Sequence, residues 1–172
     1  MARFTIVPDR STVWIDASSS LHPIHTRTDG LEGYVELEPG THGQVDLTVK
    51  PKGHLSLPVE RLRSGNILEE RELRRRIDAR HFPSIDGELT DMQPTDHEGR
   101  YVVRGAVTFR GVTKEHEDEM FISFDDDTVT LVGTSSFDVR EFGMHPPRLL
   151  LVSVEPEVTV RVEIVGRRRL EQ

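Results

Sequence analysis

From Val103 to Phe124 the chain alternates side chains of opposite character, and a period of two admits little besides a β-hairpin. Val103, Gly105, Val107 and Phe109 fall on one face; Arg104, Ala106, Thr108 and Arg110 fall on the other. Successive side chains of a strand point to opposite faces, so this is the pattern of a half-buried strand. Arg110-Gly111 interrupts it and a second run starts at once. In that run Met120, Ile122 and Phe124 share a face, and Glu115, Glu117 and Glu119 share the opposite one. Two strands on a short glycine-containing connection make a hairpin. One side is dry and one wet, and a function is expected to use the dry side.

The same period recurs along the chain. Val13, Ile15 and Ala17 alternate, as do Leu31, Gly33, Val35 and Leu37, then Val45, Leu47 and Val49, then Leu55 and Leu57. Between them, Ser18 to His25 contains Pro23, which lacks an amide donor, and reads as a crossing or irregular segment. Later come Ile85, Gly87 and Leu89; Val129, Leu131, Gly133, Ser135 and Phe137; an apolar run from Leu149 to Val154; and Val158, Val160, Val162 and Ile164. Glu141 to Pro147 is irregular. One stretch differs. Asn66 followed by Glu69 reads as a helix N-cap with its reciprocal acid. Ile67 to Ala79 is then rich in Leu, Glu and Arg, with i, i+4 pairs Glu70–Arg74 and Glu72–Arg76. About eight strands and one helix at short spacing predict an all-β fold, a sandwich or a barrel, and closure into a barrel removes the liability of exposed strand edges. One domain over 1–166 is expected, with 167–172 a basic, solvated tail.

Composition narrows the function. Net charge is −8, which argues against a nucleic-acid partner, since phosphate backbones need a basic footprint. With no cysteine, disulfides, thiolate catalysis and Cys-ligated zinc are ruled out. No segment has the length of a membrane span or the apolar core of a signal peptide, so a cytoplasmic location is expected.

Small residues share the inward parity with large ones: Ala17, Gly33, Gly87, Gly105, Gly133 and Ser135. They either let the strands coil or leave an internal cavity, since a barrel of this size is filled or holds one small ligand. Both readings stand open here. On that parity Val107, Phe109, Met120, Ile122, Leu131 and Phe137 line one apolar interior, and Ile15, Val35 and Leu89 are expected to join them. Phe142 and Met144 are expected either at the mouth, where methionine adapts to irregular ligands, or packed in the core.

Other chemistry is poorly supported. His22 and His25 flank Pro23, which breaks helical ligand geometry, and no acids cluster beside them, so no metal is expected. His116 and His145 read as isolated. Ser18 to Ser20 are not in a nucleophile elbow, and Glu115–Glu119 and Asp125–Asp127 match no calcium loop. The arginines of the helix, Arg71, Arg74, Arg75, Arg76 and Arg80, are expected to pair with neighbouring glutamates; the alternative is an anionic head group at the cavity mouth. No catalytic residue and no cofactor are assigned.

Four segments together resemble one family. They are Phe4-x-Ile-x-Pro-Asp9 with Ser11-x-Val13-x-Ile15; Leu62-x-Ser64-Gly65-Asn66 with a charged helix and Phe82-Pro83-x-Ile85; Gly105-x-Val107-x-Phe109-Arg110-Gly111-Val112-Thr113-Lys114; and Phe137-x-Val139-Arg140-x-Phe142-Gly143-Met144. In this order and spacing the chain resembles the bacterial YceI-like proteins over nearly its full length. That resemblance implies an extended, eight-stranded, lipocalin-like antiparallel barrel with one inserted helix. It implies non-enzymatic binding of a polyisoprenoid or similar long-chain lipid in an apolar channel, and a possible homodimer. A filled barrel serving as a protein-interaction or stress-related module is the alternative. A small hydrolase or metal-dependent enzyme ranks third.

Overall fold

The structure, a computed structural model, describes residues 2–146, 148–149 and 152–169. Its strands are β1 (Ala2–Ile6), β2 (Thr12–Ser19), β3 (Pro23–Thr28), β4 (Glu32–Leu37), β5 (Lys52–Pro58), β6 (Ser84–Pro94), β7 (Arg100–Phe109), β8 (Val112–Asp125), β9 (Thr128–Asp138), β10 (Arg148–Leu149) and β11 (Val152–Arg168). One helix, α1 (Ile67–Ile77), stands between β5 and β6. Neighbours run β1, β4, β5, β6, β7, β8, β9, β11, all antiparallel, and β11 returns to β1. The result is a closed eight-stranded barrel.

Two of the eight positions are occupied by broken strands. β1 and β2 follow one another along β11, pairing Ile6 with Gly166 and then Thr12 with Glu163. A 3-10 turn at Pro8–Arg10 separates them. Ser11 holds the break: its hydroxyl donates to the Val165 carbonyl at 3.3 Å and accepts from the Val165 N–H at 3.0 Å. β3 and β4 share the next position, against β2 and β1 respectively. The segment Ser18 to His25 is therefore no crossing. It is a hairpin in which Pro23 is the first residue of β3, opposite Ser18, a place where a missing N–H is tolerated.

The central hairpin forms as its alternation predicts, with Phe109 opposite Val112. Arg110 and Gly111 have φ of 52° and 73°, the two positive values that a two-residue loop needs to match strand twist. The strand expected over Val45–Val49 is absent. Asp46 instead accepts the N–H and the hydroxyl of Thr48 at 3.0 and 2.6 Å, a local turn that competes with any ladder. The Thr48 hydroxyl, then its N–H, holds the Asp46 carboxyl below its ordinary pKa. Val45 is still buried, and its N–H donates to the Tyr101 hydroxyl at 2.9 Å. The loop thereby plugs one end of the barrel. Phe4 packs there against Phe124, ring centroids 5.7 Å apart, with Leu37 and Val129 fully buried nearby in sequence register.

The helix lies at the other end. Asn66 caps it, accepting the N–H groups of Leu68 and Glu69 at 3.0 and 3.2 Å. The reciprocal acid is Glu70 and not Glu69: Glu70 Oε1 accepts from the Ser64 and Gly65 N–H groups at 3.0 and 3.2 Å. The helix stops at Ile77, before the expected Ala79, because Asp78 takes a left-handed conformation at φ 61°, a common helix ending. At the C-terminus β11 runs through Arg168, two residues past Gly166, and Arg167 to Arg169 carry exposed side chains. In the apolar run from Leu149, positions 150 and 151 lie outside the described residues, as does Pro147.

Candidate functional site

Inside the barrel is an apolar cavity in two lobes, an outer one of about 310 Å³ and an inner one of about 200 Å³. Both lobes touch Leu55, Gly87, Val107, Ser135, Phe137 and Val162, so they meet at mid-barrel. The outer lobe opens toward α1, which presents Glu69, Leu73 and Ile77, four residues apart, to it. Three arginines of α1 pair along the helix: Arg76 and Arg74 pair with Glu72 and Glu70 at 2.9 and 3.6 Å, and Arg75 with Glu72 at 3.5 Å.

Most residues proposed from sequence meet on this wall. Ile15, Phe109, Phe142 and Met144 line the outer lobe; Val35, Leu89, Met120 and Leu131 line the inner one; Val107 and Phe137 line both. Ile122 lies elsewhere, buried in the packed core and on neither wall. The parity that places it inward does not say how far along the barrel the open space extends. Residues that pattern reading did not assign also contribute, notably Leu55, Ile85 and Val160. The signal was present, since each continues an inward alternation.

The small inward residues divide by what surrounds them. A Cβ on Gly87 would meet nothing closer than the Leu55 Cβ at 4.0 Å, so this glycine leaves open space. A Cβ on Gly105 would come within 2.6 Å of the Glu88 carbonyl oxygen, and one on Gly33 within 1.9 Å of the His54 carbonyl oxygen. Those two serve close backbone approach. At Gly133 the space is already taken, with Met120 Cγ 2.9 Å from the Cβ position. Coiling and cavity are both real, at different glycines.

At the mouth, the loop after β9 is fastened from two sides. Asp138 accepts the Arg140 N–H at 2.9 Å and pairs with its guanidinium at 2.7 Å. The Arg140 side chain, then its N–H, holds the Asp138 carboxyl below its ordinary pKa. From the hairpin turn Arg110 Nη1 donates to the carbonyls of Phe142, at 3.4 Å, and Gly143. Phe142 and Met144 are thereby held over the outer lobe, both nearly fully buried.

His116 is not isolated. It shares the inward parity of β8 with Asp118 and Met120, and its ring stacks on Phe137 at 4.2 Å. Asp118 accepts a hydrogen bond from the Ser135 hydroxyl and lies in ion-pair contact with His116 Nε2. These three residue types also serve in hydrolases, but the order differs. A nucleophilic serine needs a base that takes its proton and a carboxylate behind that base. Here the carboxylate stands between serine and imidazole. His25, for its part, pairs with Asp16 at 2.6 Å on the outer surface, and His22 Nδ1 meets the Pro23 carbonyl at 3.0 Å.

A closed barrel around an apolar cavity, roofed by one helix and one pinned loop, defines a lipocalin-like protein. Residues 4–166 match the YceI-like domain, and the chain belongs to that family. Solved structures agree on the fold. BcnA from Burkholderia cenocepacia superposes with a TM-score of 0.78 at 15% identity, covering 93% of this chain and 98% of its own. A polyisoprenoid binding domain from Saccharophagus degradans gives 0.75 at 9% identity, covering 96% and 98%. The Campylobacter jejuni YCEI protein gives 0.66 at 11% identity, with 85% of each chain covered. No curated protein matches the sequence.

Proposed function

We propose that this protein binds a long-chain hydrophobic or amphipathic molecule, of the polyisoprenoid or a similar lipid class, without transforming it. The observation that carries this reading is the two-lobed apolar cavity running from the helix end to mid-barrel and beyond. Membership of the YceI-like family supports it. So does the shared fold of the Saccharophagus degradans domain, itself a polyisoprenoid binding domain. Wall chemistry is consistent with transfer of apolar surface from water, at about 0.8 kcal/mol per buried methylene less the cost of ordering the chain.

Displacement of a fluorescent fatty probe by a series of n-alkyl and isoprenoid ligands tests the reading. Affinity is expected to rise with length until the cavity is full and then level off. Absence of saturable displacement at every length, or indifference to length, overturns it. The competing filled-barrel reading is disfavoured by the same cavity, since a filled barrel has no room for an internal ligand.

A further inference from the structure

We propose that His116, Asp118 and Ser135 form a built-in anchor for a neutral hydrogen-bonding head group, an alcohol in the simplest case, inserted head-first into the inner lobe. This rests on the lipid-binding reading above and adds which end of the ligand goes in and what chemistry it carries.

Three observations converge. The first is placement. The inner lobe is otherwise walled mainly by Val35, Leu89, Met92, Val103, Leu131 and Ile164, with Glu88, Glu119 and inward glycines beside them. Polar side chains in such surroundings are costly and are kept where they are satisfied or used. The second is spare acceptor capacity. The Ser135 hydroxyl and His116 Nε2 both meet Asp118 at Oδ2. The other carboxylate oxygen, Oδ1, remains an acceptor for a partner. The third is the wall itself. The β8–β9 ladder runs from Asp125 opposite Thr128 to Met120 opposite Gly133, and among the described residues it stops there. His116, Asp118 and Ser135 occupy the stretch beyond, where side-chain contacts take the place of backbone pairing.

Charge selects the head group. The cluster holds one carboxylate and one imidazole, and among the described residues no lysine or arginine side chain lines either lobe. A carboxylate or phosphate head would sit beside Asp118 in an apolar setting with at most one imidazolium to offset both. A hydroxyl carries no such penalty. It can donate to Asp118 Oδ1 beside the Ser135 hydroxyl and the His116 ring. The carbon chain then extends into the outer lobe.

The test compares 1-dodecanol, dodecanoate and dodecane, matched in length, as competitors of a fluorescent fatty probe. In the wild-type protein dodecanol is expected to bind about tenfold tighter than dodecane, the worth of one hydrogen bond to a charged group, and tighter than dodecanoate. In Asp118→Asn/Ser135→Ala the alcohol's advantage over dodecane should fall to about twofold or less. A seam-stapling role alone would shift all three ligands together. If dodecanoate wins, or the variant keeps the alcohol's full advantage, the anchor is refuted and the apolar cavity stands. If none of the three displaces the probe, the lipid-binding reading falls and the anchor with it. Should the variant fail to fold, the wild type decides alone: the His116 ring NMR signals should shift on adding dodecanol and stay in place with dodecane, and no difference between the two refutes the proposal.

Discussion

Phe109 and Phe142 meet edge to face, with ring centroids 5.7 Å apart and an interplanar angle of 64°. This contact joins the tip of the central hairpin to the loop that roofs the cavity. Phe109 borders open space, whereas Phe4 at the plugged end is 1% exposed in packed core. Phe4→Ala is therefore expected to cost about 3–5 kcal/mol. Phe109→Ala should cost clearly less, about 2 kcal/mol, since little new cavity is created there. Urea denaturation of the ligand-free protein measures both. Equal losses would argue that the outer lobe is packed solid.

Gly87 and Gly133 share the inward parity and predict opposite outcomes. Gly87→Leu enters open space and should leave a stable barrel that prefers shorter ligands. Gly133→Leu drives its first carbon into Met120, and overpacking of this kind costs about 1–3 kcal/mol. Thermal melting combined with the ligand length series separates the two. A destabilised Gly87→Leu with unchanged length preference would place that glycine against packed atoms.

Ser11 is a small polar residue with no solvent exposure. Ser11→Ala leaves the Val165 N–H unpaired inside the protein, while the Val165 carbonyl keeps its bond from Val7 at 2.8 Å. The expected loss is about 1–3 kcal/mol, read from the urea midpoint at constant slope. A loss within experimental error would mean that water replaces the hydroxyl.

Acid should loosen the mouth before it loosens the barrel. Asp138 has its pKa lowered on folding, so its contribution is present above the ordinary carboxylate value and lost as pH falls through and below it. Amide exchange of residues 139–144, corrected for intrinsic rates, is expected to quicken at pH 3 relative to pH 6. Asp138→Asn should exchange fast at both. A pH-independent loop in the wild type contradicts this.

Much of the barrel could be read from period two, because one buried face imposes that alternation on every long strand. Legibility failed where a local side-chain bond outbid the pattern. Val45, Leu47 and Val49 alternate as a strand does, yet Asp46 and Thr48 close a turn on themselves. Pro23 argues against a central strand and does not forbid a strand's first residue. The cap of the helix was legible, but Glu70 and Glu69 are adjacent acids, and only the loop's path decides which reaches back. His116 and Asp118 were hidden for another reason. Their parity with Met120 was visible, but polar side chains on an inward face look like misfits until Ser135 and Phe137 are seen beside them across the seam.

The plug made by Val45 and Tyr101 closes one end of the barrel. Under the proposed ligand-binding reading, the ways in and out are then the roof of helix and Phe142 loop and the β8–β9 seam, where backbone pairing stops at Met120 and Gly133. Exchange would be set by how those two places open, and not only by the affinity of the wall.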